Sequence, residues 1–351
     1  MQCLSFLNSK GEIQEAMEET AALFEEETGI KVEVQICATG ESPYTKVTSA
    51  YNAGSAPTMA MLDPTDVVSL AEEYALDLSG EKWVEECGTA STVIDGKVYG
   101  FPFCIEGRGL IVNKTTIEET LGEEFDVASI NSYDALKVLL ENLRANGMEN
   151  PVVLSKEDWS LGNHQLGFVY DVQDGTTDGA MAFIGDLKAG TTSMGDNERF
   201  DQFIETFDLL CEYNINKEDP LGALYEQDPI FMVDGDAAIW ANGCWAWPNL
   251  AEAGASTDDE YAFVPFVFGN DITDFANTGI EAAANNGFDA LDPLAFDIQE
   301  KMKSGNTYSS AFIAPGDHWS VLGASMQQYL AGVCSKEELA SQIDEYWTAI
   351  E

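Results

Sequence analysis

The stretch "GDAAIWANGCWAWPNL", residues 235–250, places three of the chain's seven tryptophans, Trp240, Trp245 and Trp247, within eight positions. Two more stand among loop-forming residues: Trp159 in "KEDWSLGNHQLG" and Trp319 in "APGDHWSVLGA". An indole makes and breaks no bonds at neutral pH, so its chemistry is contact: a large, flat, rigid surface that costs little conformational entropy to fix. Its natural complement is a solute with a flat apolar face and a polar rim, such as a sugar, whose C–H face stacks while its hydroxyls meet Asp, Glu, Asn or Arg. Trp159, Trp245 and Trp319 sit beside Gly, Asp or Pro, where binding residues concentrate, and are the tryptophans expected to meet a ligand. Trp347 lies on a regular helical stripe and Trp83 on an acidic segment, so both are expected to be structural. If the 235–250 stretch is a strand, Ile239 and Trp240 face opposite sides, and Trp240 packs beneath the sheet. Gly243 then lets the chain turn, and Trp245 and Trp247 share a side before Pro248 ends the strand.

Reactive chemistry has little to work with. The two histidines, His164 and His318, leave scant material for a metal centre or a histidine-dependent triad. The seven cysteines are odd in number, widely spread and never in C-x-x-C spacing, which signals neither a disulfide framework nor a zinc site; most read as small buried hydrophobes. "GRGLIV" lacks the third glycine of a dinucleotide fingerprint, and P-loop, H-E-x-x-H and G-x-S-x-G motifs are absent. "DVQDGTTDG", residues 171–179, has oxygen ligands at the wrong spacing for a calcium loop and reads as a turn. No cofactor and no metal are therefore expected. With 16 basic and 62 acidic residues, a net charge of −46, the chain is not expected to bind nucleic acid or anionic lipid. So many carboxylates also mean that spacing alone cannot nominate a catalytic acid pair.

The elements that position these residues are those of an α/β protein. The 351 residues are enough for two domains, and no stretch approaches the ~20 apolar residues of a membrane span. "QCLSFLN" reads as a strand, residues 12–28 as a helix stopped by Gly29, and "IKVEVQI" as an alternating strand. A helix ending at Gly54, the strand "TMAML" and a helix over 65–74 follow, an order that implies a mainly parallel sheet. "DGK" at 95–97 suits a hairpin turn, and "GRGLIVNK" is expected to carry Gly107 and Gly109 between two apolar strands at a crossover. Phe200, Phe203, Ile204, Phe207 and Leu210 form one helical face, and Ser335 with Glu338 a capping box ahead of Leu339, Ile343, Trp347 and Ile350. There is no internal repeat. The opening residues read as a mature chain behind an initiator Met.

Several of these segments, in this order, resemble the extracellular solute-binding proteins of ABC importers, in the sugar-binding family that includes maltodextrin-binding protein. "YNAGSAPTMAMLDPTDVVSLAEEYALDLS" is similar to the family's first-lobe stretch, and "DGKVYGFPFCIEGRGLIVNK" to its crossover. "FMVDGDAAIWANGCWAWPNL" resembles its Gly/Trp signature, and "DHWSVLGASMQQYLAGVCSKEELASQIDEYW" its closing helices. The resemblance implies a two-lobed, periplasmic-binding-protein-like α/β fold, each lobe a mainly parallel sheet flanked by helices and hinged by crossover strands. It implies a first lobe of 1–107 plus about 267–305 and a second of 108–266 plus about 306–351. After "VPFVFG", 264–269, some tens of residues are missing relative to the family, so the first lobe reads as shortened. The implied ligand residues are Asn8 and Lys10 at the end of the first strand, Asp63 and Asp66 after "TMAML", Glu106 in the crossover, and Trp159, Trp245, Trp247 and Trp319. The implied function is a receptor that closes around an oligosaccharide between its lobes and delivers it to permease subunits, as a monomer, outside the membrane and lipid-anchored. Another polar solute (an amino sugar, polyol or polyamine) is the alternative, and a carboxylate-based glycosidase a more distant one.

Overall fold

The computed structural model describes residues 3–38, 41–87, 92–104, 106–256, 259–270, 275–277, 292–304, 307–309 and 315–350. The chain divides into two compact units, Met1–Cys104 with Ile313–Asp317, and Ile105–Phe312 with His318–Glu351.

In the first unit β1 (Cys3–Asn8) is the centre of a parallel three-stranded sheet in the order β2 (Lys31–Ile36), β1, β3 (Met59–Ala60). Parallel pairing demands a crossover between strands. The helices Gln14–Thr28 and Pro43–Asn52 provide them, the first ended by Gly29 in the left-handed region and the second capped by the Ser42 hydroxyl. β3 is shorter than the five-residue "TMAML" run suggests, since Pro64 opens the next helix, Pro64–Tyr74, four residues after Ala60. Leu7, Cys37, Val47 and Leu70 form this unit's buried cluster. Thr92–Ile94 and Lys97–Gly100 make the expected hairpin, β4 and β5. Asp95 and Gly96, with φ of 49° and 76°, both take the positive φ that a tight hairpin turn of this hand requires.

The second unit is built on β6 (Gly107–Asn113), a single strand buried along its whole length. Gly107 and Gly109 thus lie inside one strand and do not separate two. β6 runs antiparallel to β8 (Ile239–Gly243) on one side and to β9 (Tyr261–Val264) and β10 (Phe275–Asn277) on the other. β7 (Val152–Val153) extends β8 in parallel, and β11 (Thr307–Ser309) extends β10 in parallel. The sheet is therefore mixed where a mainly parallel one is expected, because its middle strand enters against the direction of its neighbours. Gly107 is needed as glycine: a Cβ there would stand 2.5 Å from Ile298 Cδ1. Ile298 belongs to the helix Pro293–Ser304, which packs Leu294 and Ile298 into the core of Trp240, Phe263 and Ile111.

That packing changes the expected division of the chain. Residues 267–305 are expected with the first lobe, but their described part lies in the second unit. Phe268 stands among the rings of Phe168 and Phe266, β10 pairs with β6, and Asp297 accepts the Phe263 N–H at 2.7 Å. The expected shortening after residue 269 falls mostly outside the described residues. The helix Glu198–Glu212 buries Phe200, Phe203 and Phe207 as its periodicity predicts, and Lys336–Thr348 carries the full capping box and buries Leu339, Ile343 and Trp347. Of the cysteines whose burial is described, only Cys37 is buried; Cys3 and Cys104 are exposed.

Candidate functional site: an aromatic wall

β7 and β8 are parallel, so their carboxyl ends share one edge of the second sheet, the edge where open α/β sheets bind ligands. The chain leaving β8 carries Trp245; the chain beyond β7 carries Trp159 and His164. With Tyr225 they form a continuous row of four half-buried rings. Tyr225 and Trp159 meet edge to face at 5.4 Å, Trp159 and His164 at 5.3 Å, and His164 and Trp245 tilt together at 4.6 Å. Contacts of this geometry hold rings in place beyond the area they bury. Behind the row, Tyr225 packs on fully buried Trp240 and accepts a hydrogen bond from Asn242 Nδ2 at 3.2 Å.

Gly243 sets the position of Trp245. A Cβ at Gly243 would lie 2.1 Å from Trp245 Cζ3, so the indole is folded back onto the glycine's own Cα. Gly243→Ala is expected to swing that ring out of the row and weaken ligand binding about tenfold, with a smaller effect on the unfolding midpoint; equal affinities for the two proteins would contradict this. Glu106 stands beside the same turn, half-buried, because Gly107 N–H donates to Cys244 Sγ at 3.3 Å and Arg108 pairs with Gly243.

Trp159 and His164 are held by a different device. Ser160–Gln165 is a π-helical turn in which Leu166 N–H reaches back five residues to Leu161 O. It lies against the helix His318–Leu330 so closely that a Cβ on Gly162 would be 2.5 Å from Trp319 O. Trp319 is therefore brought next to this turn through its backbone. Its ring is half-buried. Trp247 is placed elsewhere. β8 ends at Gly243, a 3-10 turn follows, and Trp247 opens the helix Trp247–Ala253 with Pro248 in its first turn. In helical geometry positions two apart point to different sides, so Trp245 and Trp247 do not share one, and Trp247 stands edge-on to Tyr261 at 5.7 Å.

In the first unit the four expected residues gather at the carboxyl ends of β1 and β3. Asn8 is fully buried, and its amide is spent locally: Nδ2 donates to Lys10 O (2.8 Å) and Gln14 Oε1 (3.0 Å), and Oδ1 accepts the Lys10 N–H (3.0 Å). It shapes the turn that holds Lys10, whose half-buried ammonium lies 3.6 Å from Glu12. Asp63 is exposed at the start of the helix Pro64–Tyr74, while Asp66, one turn in, is only 4 % exposed. Burial first, and the Asp63 charge second, push the Asp66 carboxyl up to about 7 from its ordinary 3.8. The folded chain thus holds about one proton more than the unfolded chain between these values, so stability from this group declines as pH rises from about 4 to about 7. Asp66→Asn is expected to flatten that part of the melting-temperature profile; an unchanged slope would refute the assignment.

Tyr225 and His164 are absent from the residues expected from sequence. Tyr225 stands in "GALYEQDP", a turn-rich run before a helix, and the only local cue is an aromatic in a loop. His164 had a cue in its rarity. Trp240 and Trp347 are fully buried, as expected of structural residues.

Comparison with known families matches residues 19–290 to the bacterial extracellular solute-binding protein model. The chain belongs to that family. No curated protein sequence matches it. Among solved structures, the chitin oligosaccharide binding protein is 17% identical with a TM-score of 0.76, covering 99% of this chain and 98% of its own. An ABC transporter solute-binding protein from Thermotoga lettingae, bound with α-D-tagatose, is 17% identical with a TM-score of 0.74, covering 99% of both chains. Unliganded RafE from Streptococcus pneumoniae is 18% identical with a TM-score of 0.66, covering 99% and 98%. At such identities the likeness shows the fold: the α/β fold of two-domain solute-binding proteins. No helix among the described residues is long and apolar enough to cross a membrane.

Proposed function

We propose that this solute-binding protein is the sugar receptor of a bacterial ABC importer, taking up an oligosaccharide on the aromatic wall of its second unit and passing it to the permease subunits. The observation that carries the reading is the row Tyr225–Trp159–His164–Trp245 at the carboxyl edge of the second sheet; Glu106 precedes Gly107, whose N–H reaches Cys244 in the turn before Trp245. Four adjoining rings present a surface longer than one indole, which suits successive sugar rings stacked by their C–H faces; the half-buried Glu106 carboxylate is proposed as a hydrogen-bond acceptor for hydroxyls. Solved relatives of the same fold are described in complex with raffinose and with mannobiose, which supports sugar as the solute class.

Trp319, next to the π-helical turn, is proposed as an outer part of the surface, while Trp247, held against Tyr261, is proposed to support the fold and not to stack on the ligand. Lys10, Asp63 and Asp66 are proposed as polar ligand contacts of the first unit, with Asn8 acting through Lys10. The receptor is proposed to be a lipid-anchored monomer outside the membrane and to perform no chemistry on its ligand. The test is incubation with raffinose, mannobiose and chitin oligosaccharides, reading both melting temperature and released products. A rise in melting temperature with intact sugar supports a receptor; released products would make it a hydrolase, and no shift with any sugar would remove sugars as the ligand class.

A further inference from the structure

Beneath the wall lies a carboxyl group that none of the ligand contacts uses. Asp228, 1 % exposed, opens the short helix Asp228–Val233, three residues after Tyr225. Its Oδ2 accepts the Ser155 hydroxyl proton at 2.6 Å, and Ser155 Oγ in turn accepts Trp240 Nε1–H at 3.0 Å. Its Oδ1 is sealed from solvent and has no hydrogen-bond partner among the described residues; the same is true of Glu157 Oε2, two residues before Trp159. Asp228 thereby ties together the two segments that carry half of the wall, 225–228 with Tyr225 and 155–159 with Trp159, through the indole on which Tyr225 rests. The charged groups facing it are Glu157 and Lys156 from the second segment and Glu226 from its own turn, and Lys156 is already paired with Glu157 at 3.3 Å.

We propose that Asp228 is a positioning residue for the aromatic wall, and that its proton couples ligand affinity to pH. This rests on the sugar-receptor reading only for the ligand arm of its test. Oδ2 accepts the Ser155 hydroxyl in either state, but only while Asp228 is neutral is no uncompensated charge buried. Once ionised, it becomes a sealed carboxylate with one bare oxygen beside the Glu157 and Glu226 charges, and the turn that carries Tyr225 is driven outward toward water. Burial holds this carboxyl at about 7, so the change falls within the range an extracellular protein meets. If only the protonated form presents a complete wall, apparent affinity scales with the protonated fraction and falls about tenfold between pH 6 and pH 8. Substitution of Asp228 separates its contribution from that of every other group in the wall.

The experiment records tryptophan fluorescence and near-ultraviolet circular dichroism of the unliganded protein from pH 5.5 to 8.5. It also records, by calorimetry over the same range, the affinity for raffinose, mannobiose and chitotetraose. The expected result is a transition centred near 7 in both, with binding about tenfold weaker at pH 8, and neither in Asp228→Asn, which binds at every pH as the native protein does at pH 6. Glu157→Gln, which keeps Asp228 but removes a facing charge, is expected to move the transition to lower pH and serves if Asp228→Asn does not fold. Flat profiles in the native protein, or a transition that persists in Asp228→Asn, would overturn the proposal. If none of the sugars binds at any pH, the receptor reading fails on its own, and the unliganded transition still decides the role of Asp228.

Discussion

Gly323→Ala is expected to destabilise the second unit by about 3 kcal/mol or more, a larger effect than most single substitutions produce. The helix His318–Leu330 meets the segment before the π-helical turn with backbone against backbone. A Cβ on Gly323 would fall 2.3 Å from Asp158 O and 2.6 Å from Asp158 Cα. From the opposite side, a Cβ on Gly162 would fall 2.5 Å from Trp319 O and 2.7 Å from Gly323 N. None of these atoms ends a flexible side chain, so relief requires the two segments to separate and to lose contacts along their length. Gly185→Ala provides the contrast: it lies inside the helix Thr177–Ala189 with nothing within 4 Å of its new methyl, and is expected to be neutral or to stabilise by about 0.5–1 kcal/mol. Urea unfolding of the two variants measures the difference, and a Gly323→Ala unfolding free energy within about 0.5 kcal/mol of the native protein's would refute the close approach. The same separation moves Trp159, so this variant is also expected to bind ligand less tightly.

Trp245→Ala is expected to cost about 2 kcal/mol of binding free energy or more, roughly thirtyfold in affinity. Trp245 ends the row, lies over Gly243 and is braced by His164, so the ring is already fixed before a ligand arrives and little entropy is lost on stacking. Its removal also takes away the ring on one side of His164. Trp247→Ala is expected to behave differently, because that ring braces Tyr261, which accepts a hydrogen bond from Asn113 in β6. It should lower stability more than affinity. Calorimetry and melting curves on both variants give the comparison; equal losses of affinity would mean that the two rings do share a ligand-facing side.

The residues that sequence places well are those whose structure is decided within a few positions. Asp95 and Gly96 turn the hairpin by their own φ preferences, Ser335 and Glu338 cap a helix across three residues, and the Phe200–Phe203–Phe207 stripe needs only the helical period. What sequence misplaces depends on partners far along the chain. "GRGLIVN" reads as interrupted by glycine, yet Gly107 is there to let Ile298 lie on the strand, nearly 200 residues on. The "WAWP" run reads as a strand stopped by proline, whereas proline is equally suited to the first turn of a helix, and that choice sends Trp247 to Tyr261. Tyr225 enters the wall because its loop returns to Trp240, and Asp228 is buried because Ser155 arrives from another segment. Neither has a local signature. Trp245 stands out in sequence because it lies beside glycine and proline in the Gly/Trp signature, whereas the folding of its ring back onto Gly243 is seen only in the structure.

The most direct measurement is a calorimetric titration of the native protein and of Trp245→Ala with raffinose, mannobiose and chitin oligosaccharides at pH 6. Saturable one-to-one binding of at least one sugar, with a negative heat-capacity change and a loss of about thirtyfold in Trp245→Ala, is the result expected of an aromatic sugar site. A sugar that binds both proteins equally would contradict the wall as the binding surface, and no binding of any sugar would contradict the receptor itself.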